Sequence, residues 1–115
     1  MKTIFCLAIA SLVFAATSEA QLIKTSLTLT VRDDLGNTAD GVSVKLFENE
    51  TDYTAEKNPA AEGTTDKKGV VKFKELKAIA YFVIARKGDK DNAGGGEKIG
   101  KLEANKFNKA TIIIQ

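Results

Sequence analysis

Asp89, Asp91, Asn92 and Glu97 lie within one short stretch of the chain, beside three consecutive glycines. Carboxylate and amide oxygens gathered in a single loop are what a calcium ion takes, about six to eight at a time. Lys90 and Lys98 interrupt the set, and the acids do not keep the EF-hand spacing. The stronger expectation is a solvated, flexible loop with no metal. A calcium or small-ligand site in this loop is the alternative.

Other chemistry is poorly supplied. Histidine is absent from the 115 residues, which removes the commonest general base and the commonest transition-metal ligand. Cys6 is the only cysteine, so neither zinc nor a disulfide is expected. Ser26 and Ser43 are the only serines beyond residue 20, and both sit inside strand patterns. A Ser–His triad is impossible, and no pair of acids is spaced for general acid–base work. The expectation is no catalytic residue, no cofactor and no enzyme.

Two further sets of residues bear on binding. Lys67, Lys68, Lys72, Lys74 and Lys77 cluster without interleaved aromatics. They suit either an anionic polysaccharide or membrane surface, or simply a solubilising outer strand face, which is the stronger reading. Phe82, Ile84 and Ile113 fall on the outward rows of strands that are apolar on both faces. Were those strands neighbours, these residues would form an apolar contact patch; alternatively, residues 48–63 fold over them. Asn49-Glu50-Thr51 fits an N-glycosylation acceptor, of consequence only in a eukaryotic host.

The start of the chain sets the compartment. Lys2 precedes an apolar run over residues 4–16 broken only by Ser11, and Ser18-Glu19-Ala20 supplies small residues at the positions a signal peptidase reads. The run is shorter than the roughly 20 apolar residues a membrane span requires. The expectation is a signal peptide over residues 1–20, with a secreted or periplasmic domain over residues 21–115 that is not membrane-spanning after cleavage. Seventeen basic and fifteen acidic side chains leave a net charge of only +2, too small and too mixed for nucleic acid.

The rest of the chain carries short alternating segments. Leu27, Leu29 and Val31 alternate with Thr28, Thr30 and Arg32; Val42, Val44 and Leu46 alternate with Ser43 and Lys45. Val71 and Phe73 begin a third strand that Leu76 closes. Residues 80–87 form a fourth, residues 97–104 a weaker fifth, and residues 110–115 the last. Asp33 to Asn37 and Thr64 to Gly69 are turns, with Gly69 at a left-handed position. Residues 48–63 are too long and polar for an ordinary connection, residues 88–96 look flexible, and no helical period is long enough to predict a helix. The fold class is all-β: a single small antiparallel Greek-key β-sandwich of about six to seven strands.

Gly41-Val-x-Val-x-Leu46, Thr65-Asp-x-x-Gly-x-Val-x-Phe73, and Leu76 followed by Tyr81-x-Val-x-Ala85 and Lys87-Gly88 resemble the carboxypeptidase regulatory-like domain. The transthyretin-like and collagen-adhesin B-type sandwiches are similar. The shared residues are turn and core residues, so the resemblance implies fold more than function. Transthyretin-like hydrolases of a purine breakdown product use histidines that this chain lacks. Adhesin B-type domains join a first-strand lysine to a late asparagine; here the matching position is Arg32, whose guanidinium is no amine nucleophile, although Asn105 and Asn108 precede the last strand. The function expected is a non-enzymatic exported accessory, whose partner is another envelope or extracellular protein, with polysaccharide possible and nucleic acid excluded.

Overall fold

The computed structural model describes residues 24–115. The expected leader, residues 1–20, lies outside them. Eight strands and one short helix follow in the order β1 (Ser26–Asp33), β2 (Ser43–Phe47), α1 (Glu50–Ala55), β3 (Ala61–Thr64), β4 (Val70–Phe73), β5 (Tyr81–Lys87), β6 (Lys90–Asp91), β7 (Lys98–Ile99) and β8 (Phe107–Ile114). Two sheets result: a three-stranded sheet ordered β4-β1-β8, and a five-stranded sheet ordered β3-β2-β5-β6, with β7 also on β5. The described residues form the expected β-sandwich.

Period-2 alternation builds the interior. Leu27, Leu29 and Val31 of β1, Val44 and Leu46 of β2, Val83 and Ala85 of β5, and Ile112 and Ile114 of β8 are all buried between the sheets. Phe73 and Tyr81 fill the end of the sandwich where β1 begins, and the Tyr81 hydroxyl both donates to the Lys77 carbonyl and accepts from the Lys77 amide at 3.0 Å. No buried side-chain nitrogen or oxygen among the described residues lacks a partner. Arg32 points outward, donating to the Gly36 carbonyl at 2.8 Å. The inward β1 positions are therefore aliphatic, and no amine from this strand reaches the interior.

The sandwich is not antiparallel throughout. β8 runs parallel to β1 over eight residue pairs, from Ser26 opposite Phe107 to Asp33 opposite Ile114. The cause is the connection from β7, which leaves the five-stranded sheet at the end where β1 starts. Leu102 N–H donates to Ile79 O, Asn105 N–H to the Thr25 hydroxyl and Ser26 N–H to Lys106 O. The chain thus arrives beside the beginning of β1 and must run the same way. Asn108 holds this entry: its carboxamide accepts from Glu103 N–H at 2.8 Å and donates to the carbonyls of Ser26 and Glu103, each at 3.0 Å.

Residues 48–63 and 88–96 are more ordered than expected. The first stretch holds α1 and most of β3. Asn49 caps α1 by accepting from Asp52 N–H at 2.8 Å, and Glu56 ends it in a left-handed conformation. The sequon asparagine is thus occupied as a helix cap. The expected fifth strand over residues 97–104 shrinks to β7, because the chain turns away at Gly100 to cross between the sheets.

The stretch over residues 88–96 closes the sandwich. β6 pairs with β5 at Arg86 and Lys87, while β7 pairs with it at Tyr81 and Phe82. Between them, the Asn92 side chain completes the ladder. Its Nδ2 donates to Val83 O at 2.9 Å and to Gly96 O at 3.0 Å, and its Oδ1 accepts from Ala85 N–H at 3.0 Å. The same stretch bonds to the opposite sheet: Gln115 N–H donates to Asp91 O and Ile113 N–H to Gly95 O, both at 2.9 Å. Any β-carbon on Gly95 would run into the Ile113 backbone carbonyl, so only glycine allows this approach.

The turn before β4 forms as its sequence implies. Asp66 Oδ1 accepts from Lys68 N–H at 2.8 Å and Val70 N–H at 3.0 Å, and Gly69 takes φ of 76°. Those amides, from Val70 first, hold the Asp66 carboxyl below the usual carboxylate range, and the amides of Asn37 and Leu35 act likewise on Asp33. A carboxyl with a lowered folded pKa adds stability above its unfolded value of about 3.9, and that stability is lost as pH falls through the folded value. Thermal melts between about pH 6 and pH 2 should show the native chain weakening below about pH 4. Asp66→Asn keeps an acceptor without the charge and should flatten part of that fall.

Asn92 generates a second prediction. Asn92→Ala leaves Val83 O and Ala85 N–H without partners at a buried site and should cost about 2–4 kcal/mol, read as a lower urea midpoint. Asn92→Asp turns a donor facing two carbonyls into an acceptor. Burial raises the folded pKa of the introduced carboxyl, so this variant should approach the native chain as pH falls and diverge from it as pH rises.

Candidate functional site

The outer face of the five-stranded sheet gathers Phe82, Ile84, Asp91 and Glu97 of the residues singled out in the sequence. Tyr53 of α1 lies over β5, stacked on Phe82 with ring centroids 5.1 Å apart, and meets Phe47 edge-on at 6.1 Å. Lys98 Nζ sits 5.2 Å from the Phe82 ring centre. Phe82 and Ile84 are half-buried beneath this cover. Residues 48–63 fold over the outward row of β5, as the alternative reading had it.

A contiguous patch of Phe82, Ile84 and Ile113 does not form. β5 and β8 belong to different sheets, so Ile113 lies on the other side of the sandwich. β5 is covered on its outward face by α1, whereas on β8 Gly95 approaches the Ile113 backbone and the Ile113 side chain stays 36% exposed. Period-2 reasoning places a residue on a face but does not say which sheet the strand joins.

Below α1, a depression of about 270 Å³ is lined by Tyr53, Glu56, Ile84, Arg86, Asp91 and Glu97, among others. Arg86 grips Glu56 through two hydrogen bonds of 2.6 and 2.8 Å. These hydrogen bonds, more than the bare charge, hold the Glu56 carboxyl below its usual range. The Tyr53 hydroxyl donates to Glu97 Oε1 across a long 3.4 Å. Burial first, and then the Glu97 carboxylate, push that hydroxyl above its usual value.

The oxygen ligands expected for calcium are brought near this depression only in part. Asp91 and Glu97 line it, whereas Asp89 lines a separate hollow with Asp33, Asp40 and Lys87. Asp91 Oδ1 accepts from Ala93 N–H at 3.0 Å. Asn92 is buried, and its carboxamide is engaged by Val83, Ala85 and Gly96. Among the described residues, no three acidic side chains converge as cation ligands. Asn92 thus spends its oxygen on a backbone amide of β5 and Asp91 spends one on a backbone amide of the loop, so Asn92 is a ladder residue in place of the cation ligand expected of it.

Phe107 is the residue that sequence reasoning missed. It is 73% exposed and lies beside Lys24, Lys72 and Lys74 on the outer face of the three-stranded sheet. The lysine cluster does hold an aromatic ring, supplied from 33 residues beyond Lys74 by the parallel pairing of β8 with β1.

No family model matches the chain, and no curated protein matches it in sequence. Solved structures do match in fold. The Bacillus anthracis TIE protein superposes with a TM-score of 0.55 at 18% identity, over 81% of this chain and 16% of that one. BcpA, the major pilin subunit of Bacillus cereus, superposes at 0.54 with 20% identity, over 81% and 30%. The group B streptococcus pilus 2b backbone protein does so at 0.51 with 16% identity, over 79% and 40%. The chain therefore spans well under half the length of each of these proteins, and what it shares with them is a β-sandwich fold.

Proposed function

We propose that this chain is an exported, non-enzymatic β-sandwich module that acts through contact with other proteins in the cell envelope or outside the cell. One observation carries the reading: the buried polar side chains among the described residues are all hydrogen-bonded, and they hold the backbone. Asn92, Asn108, Thr65 and Asp66 each complete backbone hydrogen bonds, and Arg86 is held by Glu56. Among the described residues the one hydroxyl bonded to a carboxylate is that of Tyr53, at a long 3.4 Å from Glu97, and the core cluster is aliphatic and aromatic. Such a chain offers a shaped, stable surface in place of a reactive centre.

The likeness in fold to a major pilin subunit and a pilus backbone protein supports a structural role of this kind. The motifs Gly41 to Leu46 and Thr65 to Phe73 support the finer kinship with carboxypeptidase regulatory-like and transthyretin-like sandwiches. The leader-like residues 1–20 support export to the periplasm or the medium. Contact through Ile84 on the five-stranded side and Ile113 on the three-stranded side would use two separate surfaces.

Fractionation of producing cells, followed by crosslinking through lysines, tests this. The chain should appear outside the cytoplasm with Gln21 as its first residue, and in discrete species larger than itself. Ile84→Lys or Ile113→Lys should remove those species if its face carries the contact. Retention of residues 1–20 in the cytoplasm, or turnover of a substrate by the purified chain, would refute the proposal.

A further inference from the structure

The two outer faces of the sandwich treat their charges differently. Around the five-stranded sheet acids stand among the cations: Arg86 is paired with Glu56, Lys77 with Glu48 and Lys87 with Asp40, and Lys45, though outside any ion pair, lies opposite Glu62 across the ladder. On the three-stranded sheet, the outward row across the strands reads Lys72, Thr28, Lys109. Lys74 follows just beyond β4, and Lys24 precedes β1 at the same end. None of these four lysines is in an ion pair among the described residues. The chain's small net charge hides this separation.

Lys24, Lys72 and Lys74 line a groove of about 620 Å³ together with Ser26, Thr28 and the ring of Phe107; Glu75 is its single acid, and Lys109 lies next to Thr28 on the neighbouring strand. Strand spacing places the Lys72 and Lys109 backbones about 10 Å apart across the sheet, and that of Lys72 about 7 Å from Lys74 along it. A potential left unneutralised over such a groove attracts a polymer with repeated negative charges. The hydroxyls along the floor match the donors and acceptors of a sugar, and an exposed phenyl ring matches its apolar face.

We propose that the outer face of the three-stranded sheet binds a linear anionic polysaccharide. Its carboxylate or sulfate groups would meet Lys72, Lys74 and Lys109, and one sugar ring would lie on Phe107. A bilayer fits less well, because the groove is recessed and floored with hydroxyls, with Phe107 as the single large apolar side chain lining it. The proposal depends on the charges of this face and not on the protein-contact reading above.

The chain, purified as its cells produce it, should bind heparin and hyaluronan at low salt and release them as salt rises, and should not bind dextran. Lys72→Gln combined with Lys74→Gln and Lys109→Gln should weaken heparin binding by about tenfold or more. Lys57→Gln with Lys90→Gln and Lys101→Gln removes the same charge elsewhere and should change it by less than about twofold. Phe107→Ala should weaken both glycans while leaving retention on polyglutamate unchanged. Acetylation footprinting of the unaltered chain needs no variant to fold: heparin should protect Lys72, Lys74 and Lys109 more than Lys57, Lys90 and Lys101. Equal losses in the two triple variants, uniform protection, or anionic phosphatidylglycerol vesicles or polyglutamate held as tightly as the glycans would overturn the proposal. So would failure to bind either anionic glycan.

Discussion

The carboxamide of Asn92 occupies the one place where β5 changes partners, and the closed side of the sandwich depends on it. β6 covers one end of β5 and β7 the other, leaving Val83 O and Ala85 N–H between them at a buried edge. Backbone groups in that position must be paired or the edge opens. A primary amide presents a donor and an acceptor as a peptide does, so one side chain takes the place of a missing strand. Once Asn92 is fixed, Asp91 and Gly95 are held where they bond Gln115 and Ile113 of the facing sheet.

The device recurs. Asn108 braces the entry to β8, Asn49 caps α1, and the Thr65 hydroxyl accepts from Val42 N–H while donating to Ala39 O. Each stands where the chain leaves a regular element and a ladder would otherwise be interrupted. A disulfide-free domain of this size has few other ways to pin its connections. The parallel union of β1 with β8 then holds its first and last strands side by side, with Val31 opposite Ile112 in the interior.

Which parts of this were legible follows from the physics of each signal. Alternation at Leu27, Leu29 and Val31, and at Tyr81, Val83 and Ala85, reports burial directly, so the core could be read along the chain. The Asp66 and Gly69 turn was equally local. β3 was not legible, because Ala61-Glu62-Gly63-Thr64 has no apolar alternation and is a strand only by lying against β2. α1 is a six-residue helix, too short for a 3.6 period to show, although the Asn49 cap with Glu50 and Asp52 behind it was available as a start signal. The direction of β8 was invisible, since parallel pairing is set by where a connection crosses and not by the residues that pair.

The loop over residues 88–97 shows why composition alone misleads about chemistry. Oxygen-rich side chains near glycines are equally the ingredients of a cation site and of a backbone clamp, and what separates them is whether the oxygens are already taken. Here Asn92 is fully engaged and Asp91 accepts from Ala93. The same criterion applied to cations gives the opposite answer on the other face. Arg86 is held by Glu56, whereas Lys72, Lys74 and Lys109 form no ion pair among the described residues. Function in such a small sandwich is best sought where the side chains have not found each other.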